Sequence, residues 1–111
     1  MFRTALLVTA ICCAPSIVYA ESCTASQYGI GDGYHGKKTA SGERFNTHAL
    51  TAAHRTKRFG SYAQVTNQST GRSISVRITD RGPFVKGRCI DLSHAAANAI
   101  GMGGTAKVVV Q

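Results

Sequence analysis

One run of eight residues, Ser73–Asp80 (SISVRITD), constrains the fold most. Ile74, Val76 and Ile78 alternate with Ser73, Ser75, Arg77 and Thr79, the period of a strand with one apolar face. By the same parity Asp80 falls on the side of the three aliphatics. The buried row thus ends on a carboxylate, and Gly82-Pro83 turns the chain directly afterwards.

The rest of the chain reads as short strands around this one. SYAQVTN (61–67) and RSISVRIT (72–79) flank QSTG, which predicts a hairpin turning near Gly71. Residues 24–29, ALTAA (49–53), RCIDL (88–92) and TAKVVV (105–110) are further strand candidates, and the Gly-rich, polar residues 29–48 read mostly as loop. Ser93 has the character of an N-cap, HAAANAI (94–100) of a two-turn helix, and Gly101 of its stop. Many short strands, many glycines and one small helix predict a compact β-barrel.

Residues 1–20 read as a separate unit. Arg3 precedes an apolar core, and VYA (18–20) offers the small residues of a cleavage site, so this is expected to be a secretory signal removed after Ala20. Pro15 and Ser16 break the run, which is too short to span a bilayer. Among residues 21–111 two cysteines remain, Cys23 and Cys89. An even pair in an exported chain predicts one disulfide, closing a loop worth up to about 4 kcal/mol in the chain-entropy description; two free thiols are the alternative. The 13 lysines and arginines less Arg3 leave 12 against 5 acids, a charge of +7. Such a surface attracts polyanions. The basic residues are scattered and form no nucleic-acid motif, so nucleic acid is not the expected partner; for an exported chain an anionic extracellular polymer such as a cell wall is, with a merely solvated surface as the alternative.

Several motifs fail on context. GDGYHG (31–36) fits G-x-G-x-x-G, but KKTASGE follows it where a dinucleotide site needs a helix. Lys38 stands where a P-loop needs Ser or Thr. Histidines 35, 48, 54 and 94 lack zinc-site spacing, so no metal and no cofactor is expected. Asn67-Gln68-Ser69 is a sequon read as an exposed hairpin loop. No G-x-S-x-G elbow is present.

The five acids, Glu21, Asp32, Glu43, Asp80 and Asp91, carry most of the information. Glu21 reads as inert, Asp32 as a turn residue, and Asp91 as a local hydrogen-bonding group before the helix cap. Asp80 is either a turn residue or an acid desolvated at the end of its apolar row. Desolvation raises a carboxyl pKa; Arg77 and Arg81 would oppose that if they came near. His54, after LTAA, reads alone as a buried structural histidine.

Together ASQYG, HGKKTASGERF, ALTAAH, VTNQSTGRSISVRITDRGPF, RCIDLS, AAANAIGM and TAKVVV resemble, in order and over residues 25–110, the rare lipoprotein A family. The resemblance implies a mainly β fold, a six-stranded double-psi β-barrel with one short helix, over residues 21–111. It implies a lytic transglycosylase that cuts the glycan strands of peptidoglycan. It implicates Glu43, His54 and Asp80 in activity, with Asp80 as acid/base and exchange of roles with Glu43 left open, and Tyr28, Thr39 and Arg81 in substrate binding. A soluble, monomeric, periplasmic or secreted protein without a membrane anchor is expected. Gln27 departs from the family, which usually has an aromatic beside Tyr28. The alternative is a non-catalytic, expansin-like module that binds or loosens wall glycan.

Overall fold

The computed structural model describes residues 20–111; the leader read over residues 1–20 lies, Ala20 apart, outside the described residues. Six strands and one helix follow in order: β1 Glu21–Tyr28, β2 Thr51–His54, β3 Tyr62–Asn67, β4 Ser73–Asp80, β5 Arg88–Ser93, α1 His94–Ala99 and β6 Thr105–Val110. They close into a barrel in the order β1-β5-β2-β4-β3-β6. Two of the pairings are parallel, β1 with β5 and β2 with β4, and the other four antiparallel.

The alternating row of β4 becomes the core as its pattern predicts. Val76 and Ile78 are sealed from solvent with Val65 of β3, Ile90 and Leu92 of β5 and Val108 and Val110 of β6, and Ile74 packs against them. The β3–β4 hairpin turns at residues 68–72, where Gly71 takes φ 75° and its N–H donates to the Asn67 carbonyl. Asn67 itself is 2% exposed: its Nδ2 donates to the Ile100 carbonyl, and its Oδ1 accepts from Ser69 N–H. The sequon asparagine is therefore an internal clamp, although the hairpin tip beyond it is exposed. Ser93 caps α1 by accepting from Ala96 N–H, and Gly101, φ 69°, ends it. Ala96 and Ala97 then enter the core. Cys23 of β1 and Cys89 of β5 form the expected disulfide, their Cα atoms 5.8 Å apart.

One irregularity decides where Asp80 points. In the β2–β4 pair Ala52 faces Ile78, but the next residue, Ala53, faces Asp80, so β4 holds an extra residue between them. A bulge of this kind re-aims the side chain that follows it. Neighbours along β2 point to opposite faces, so Asp80 leaves the face of Ile78. Simple parity placed Asp80 with the aliphatics; the bulge moves it to the outside of the barrel wall. Ala53 accordingly stands outside the apolar cluster that contains Ala52. Among the described residues no helix is long and apolar enough to cross a membrane.

Candidate active site

The outward face of four adjacent strands forms an open groove of about 330 Å³. Each side chain there is fixed by register. On β5, Asp91 faces Ala53 of β2 on one side and Ser26 of β1 on the other. Tyr28 lies two residues beyond Ser26 and so on the same face. Ala53 is opposed by Asp80 on its other edge. The groove is therefore lined by Tyr28, Asp91, Ala53 and Asp80 in strand order, with Tyr34, Lys38 and Arg81 from loops. The methyl group of Ala53 between the two acids leaves the groove floor clear. A shallower depression of about 220 Å³ on the β3–β4 hairpin is lined by Gln64, Ser73, Ile74 and Ser75 and holds no titratable group.

The two carboxylates have different surroundings. Asp80 Oδ1 accepts from the backbone N–H groups of Ala40 and Arg81, both at 2.9 Å, and its Oδ2 faces the Tyr28 hydroxyl at 3.4 Å. Asp91 is the desolvated member. Burial pushes its pKa up to about 6, against the lowering effect of the Ser26 hydroxyl bond at 3.2 Å and of Arg88, while Asp32 and Asp80 add to the rise. Burial, followed by the charges of Asp80 and Asp91, also holds the Tyr28 phenol protonated, well above the ordinary tyrosine range. Tyr28 is thus a fixed neutral donor. Phe45 stacks on it at 4.3 Å and Tyr34 meets it edge-on at 5.6 Å.

The polar loop 29–48 is ordered around this face. Asp32 accepts from Gly29 N–H at 2.7 Å and Tyr34 N–H at 3.1 Å, which holds its carboxyl below the usual range. Gly29 has φ 115°, and a Cβ there would lie 2.5 Å from Thr47 Oγ1 and 2.7 Å from the Phe45 ring. Only glycine lets the chain leave β1 under that ring.

The structure does not gather Glu43, His54 and Asp80 into one cluster. Glu43 grips Arg77 through two bonds of 2.6 Å on the outer wall; the guanidinium holds its carboxyl below the usual range. His54 is 6% exposed and its Nε2 lies 3.2 Å from Glu21 Oε1. Glu21, read from sequence as inert, is thus a partner. Thr39 is used locally, donating to the Glu43 carbonyl and meeting Ser41 Oγ. Arg81 lines the groove, but its Nη1 is engaged by the carbonyls of His54 and Lys57. Arg77 is therefore committed to Glu43, whereas Arg81 stays beside Asp80 in the groove with one guanidinium nitrogen held by two carbonyls. Gln27, at the departing position, ties Gly103 and His94 to β1. Glu21 Oε, Cys23 Sγ and Cys89 Sγ lie within 4.8 Å of one another, but the disulfide consumes both sulfurs as ligands.

Asp91 is the functional candidate that the sequence reading passed over. Its signal was present: a carboxylate inside RCIDLS whose neighbours Cys89, Ile90, Leu92 and Ser93 are all buried.

Known proteins agree with this architecture. The family model described as lytic transglycolase matches residues 21–111. A Nostoc sp. protein named probable endolytic peptidoglycan transglycosylase RlpA is 55% identical over 92 residues, which cover 83% of this chain and 25% of that protein. A Synechocystis sp. protein of the same name is 62% identical over 72 residues, 65% of this chain and 22% of its own length. The chain thus spans about a quarter of these relatives. Among solved structures, the apo expansin of Clavibacter michiganensis superposes with a TM-score of 0.65 at 18% identity, over 84% of this chain and 50% of that one, a likeness of fold alone. With its closed six-stranded barrel and this match, the chain belongs to the lytic transglycolase family of rare lipoprotein A-like double-psi β-barrels.

Proposed function

We propose that this barrel is a lytic transglycosylase that cuts the β-1,4 bond between N-acetylmuramic acid and N-acetylglucosamine in peptidoglycan glycan strands outside the cytoplasm. The observation that carries the reading is the carboxylate pair Asp80 and Asp91 on either edge of Ala53, with Asp91 pushed up to about 6. A group at 6 is about 10% protonated at pH 7, against about 0.1% for an ordinary aspartate. It can donate a proton and take one back within a single turnover.

The chemistry needs one such group. Protonated Asp91 donates to the oxygen that leaves with N-acetylglucosamine, and the bond from that oxygen to the muramic C1 breaks. Positive charge develops at C1, where the Asp80 carboxylate, held by two amides and faced by the Tyr28 hydroxyl, stabilises it. The C6 hydroxyl of the same sugar then bonds to C1 and gives its proton to ionised Asp91. The product is a 1,6-anhydro sugar, and no water is consumed. The nucleophile is intramolecular, so proximity supplies much of the rate and no second carboxylate has to activate water. Tyr28 and Tyr34 contact the glycan, and the mature domain acts as a monomer from residue 21.

The test is digestion of purified wall sacculi followed by mass spectrometry. Anhydro-muropeptides from the wild-type protein, lost in Asp80→Asn and Asp91→Asn, are expected. Binding of the glycan with no such product, beside an active control enzyme, would overturn the proposal and leave the expansin-like reading.

A further inference from the structure

We infer that His54 is a positioning residue and Glu21 its anchor, the two acting on Asp80 through Arg81 rather than on the glycan. The inference deepens the lytic reading and rests on it for its kinetic arm only.

Every polar atom of the His54 ring has a partner within the fold. Nδ1 accepts from the backbone N–H groups of Thr56 and Lys57, both at 3.1 Å. An amide N–H can only donate, so Nδ1 carries no proton there and Nε2 carries it, facing Glu21 Oε1 at 3.2 Å. The residue is 6% exposed and is not part of the groove lining. It is set back from the glycan, with both ring nitrogens engaged inside the fold.

What the ring does hold is the turn after β2. That turn presents the carbonyls of His54 and Lys57 to Arg81 Nη1, at 3.2 and 2.8 Å. The same guanidinium lies over the Phe59 ring at 3.8 Å, a stacked geometry that fixes its plane. Arg81 N–H in turn donates to Asp80 Oδ1 at 2.9 Å. A continuous chain therefore runs from Glu21 at the head of β1 through His54, the 55–57 turn and Arg81 to the Asp80 carboxylate. It also keeps the Arg81 charge directed at carbonyl oxygens and an aromatic face. Misplacing a reacting group by about 1 Å can cost about 100-fold in rate, so a remote anchor can be essential without touching substrate.

Four variants of the whole mature chain test this. His54→Asn keeps an oxygen that can accept from Thr56 and Lys57 but cannot reach Glu21; His54→Ala removes both contacts. Glu21→Gln keeps the acceptor that Glu21→Ala lacks. Without any substrate, the NMR signals of the Arg81 amide, the Arg81 Nε–H and the Phe59 ring are expected to shift in both alanine variants and to stay near wild type in Glu21→Gln. In wall digestion, the alanine variants should lose about tenfold to 100-fold in kcat, Glu21→Gln should stay within about threefold, and His54→Asn, which lacks the Glu21 contact, should lose about as much as Glu21→Ala. The pH limb near 6 should stay in place in all four. Arg81 and Phe59 signals unmoved in Glu21→Ala, or a pH limb abolished in His54→Asn, would overturn the inference. Should the wild-type protein release no product, the lytic reading fails and the substrate-free spectra still decide the positioning chain.

Discussion

Asp80 and Asp91 flank Ala53, each its register partner in a different strand pair, so β2 presents two carboxylates across a single methyl group. The bulge in β4 at Thr79, opposite the step from Ala52 to Ala53, makes this possible by turning Asp80 outward. The pair is unequal: two amides hold Asp80, while burial dominates Asp91.

That inequality sets a pH dependence with a definite sign. Asp91 has a raised folded-state pKa, about 6 against 3.8 for an ordinary carboxyl. Between those values the folded protein binds more protons than the unfolded chain, so this group's contribution to stability falls as pH rises from about 4 to 6, then stays level. Asp91→Asn has no charge to desolvate and keeps an acceptor for Ser26. It should match wild type near pH 4 and exceed it at pH 8 by about 1–2 kcal/mol, an amount reduced for partial solvent screening. Denaturant unfolding at the two pH values measures it, and a deficit at pH 8 would contradict the assignment.

Substitution of Asp80 separates charge from hydrogen bonding. Asp80→Asn retains a side-chain oxygen for the Ala40 and Arg81 amides and should fold with near wild-type stability while losing glycan cleavage. Asp80→Ala leaves both N–H groups without that acceptor and should cost about 1–2 kcal/mol. Thermal melting beside a cleavage assay distinguishes the two effects; equal stability of the two variants would mean that water replaces the carboxylate.

Much of this fold was legible in the chain. The alternation in β4, the turn at Gly71 and the Ser93 cap with its Gly101 stop are local signals, decided by neighbours within a few residues, and each appears where expected. β1 begins at Glu21, earlier than its apolar pattern suggests, because pairing with β5 and β6 extends it. The site was less legible for the same reason. Asp80 was visible as an acid on a strand, but its direction depends on a bulge that only the β2 register reveals. Asp91 looks like a prelude to the helix until β2 brings Asp80 beside it. Glu43 and His54 carry family motifs, yet their contacts are with Arg77 and Glu21, 34 and 33 residues away.

Glu43 and Arg77 should contribute more to activity than to stability. The pair is partly exposed, with side chains 44% and 32% accessible, and pairs of this kind are worth about 1 kcal/mol or less. It nevertheless fastens the 39–43 turn along β4, from which Ala40 N–H reaches Asp80 and Ser41 N–H reaches the Thr79 carbonyl. Glu43→Gln and Arg77→Gln are therefore expected to lower turnover about tenfold with melting points within a few degrees of wild type. The exchange Glu43→Arg with Arg77→Glu should restore part of the loss. A double-mutant cycle on kcat checks this, and strict additivity would refute coupling through the turn.

The Cys23–Cys89 bridge joins β1 to β5, the two strands that carry Tyr28 and Asp91. With a sequence separation of 66 it closes a long loop, for which the chain-entropy description gives about 4 kcal/mol. A small single-core domain depends on a contribution of that size. Replacing both cysteines by alanine should lower the denaturant midpoint and raise its slope, because the unfolded chain without the bridge is more extended and exposes more surface. Reduction of the wild-type protein should lower the midpoint by a similar amount. Loss of the groove is expected to follow only when the barrel unfolds, so glycan binding and far-ultraviolet circular dichroism should disappear together. If binding vanished while the strands remained, the bridge would be holding the Tyr28–Asp91 register rather than the fold as a whole.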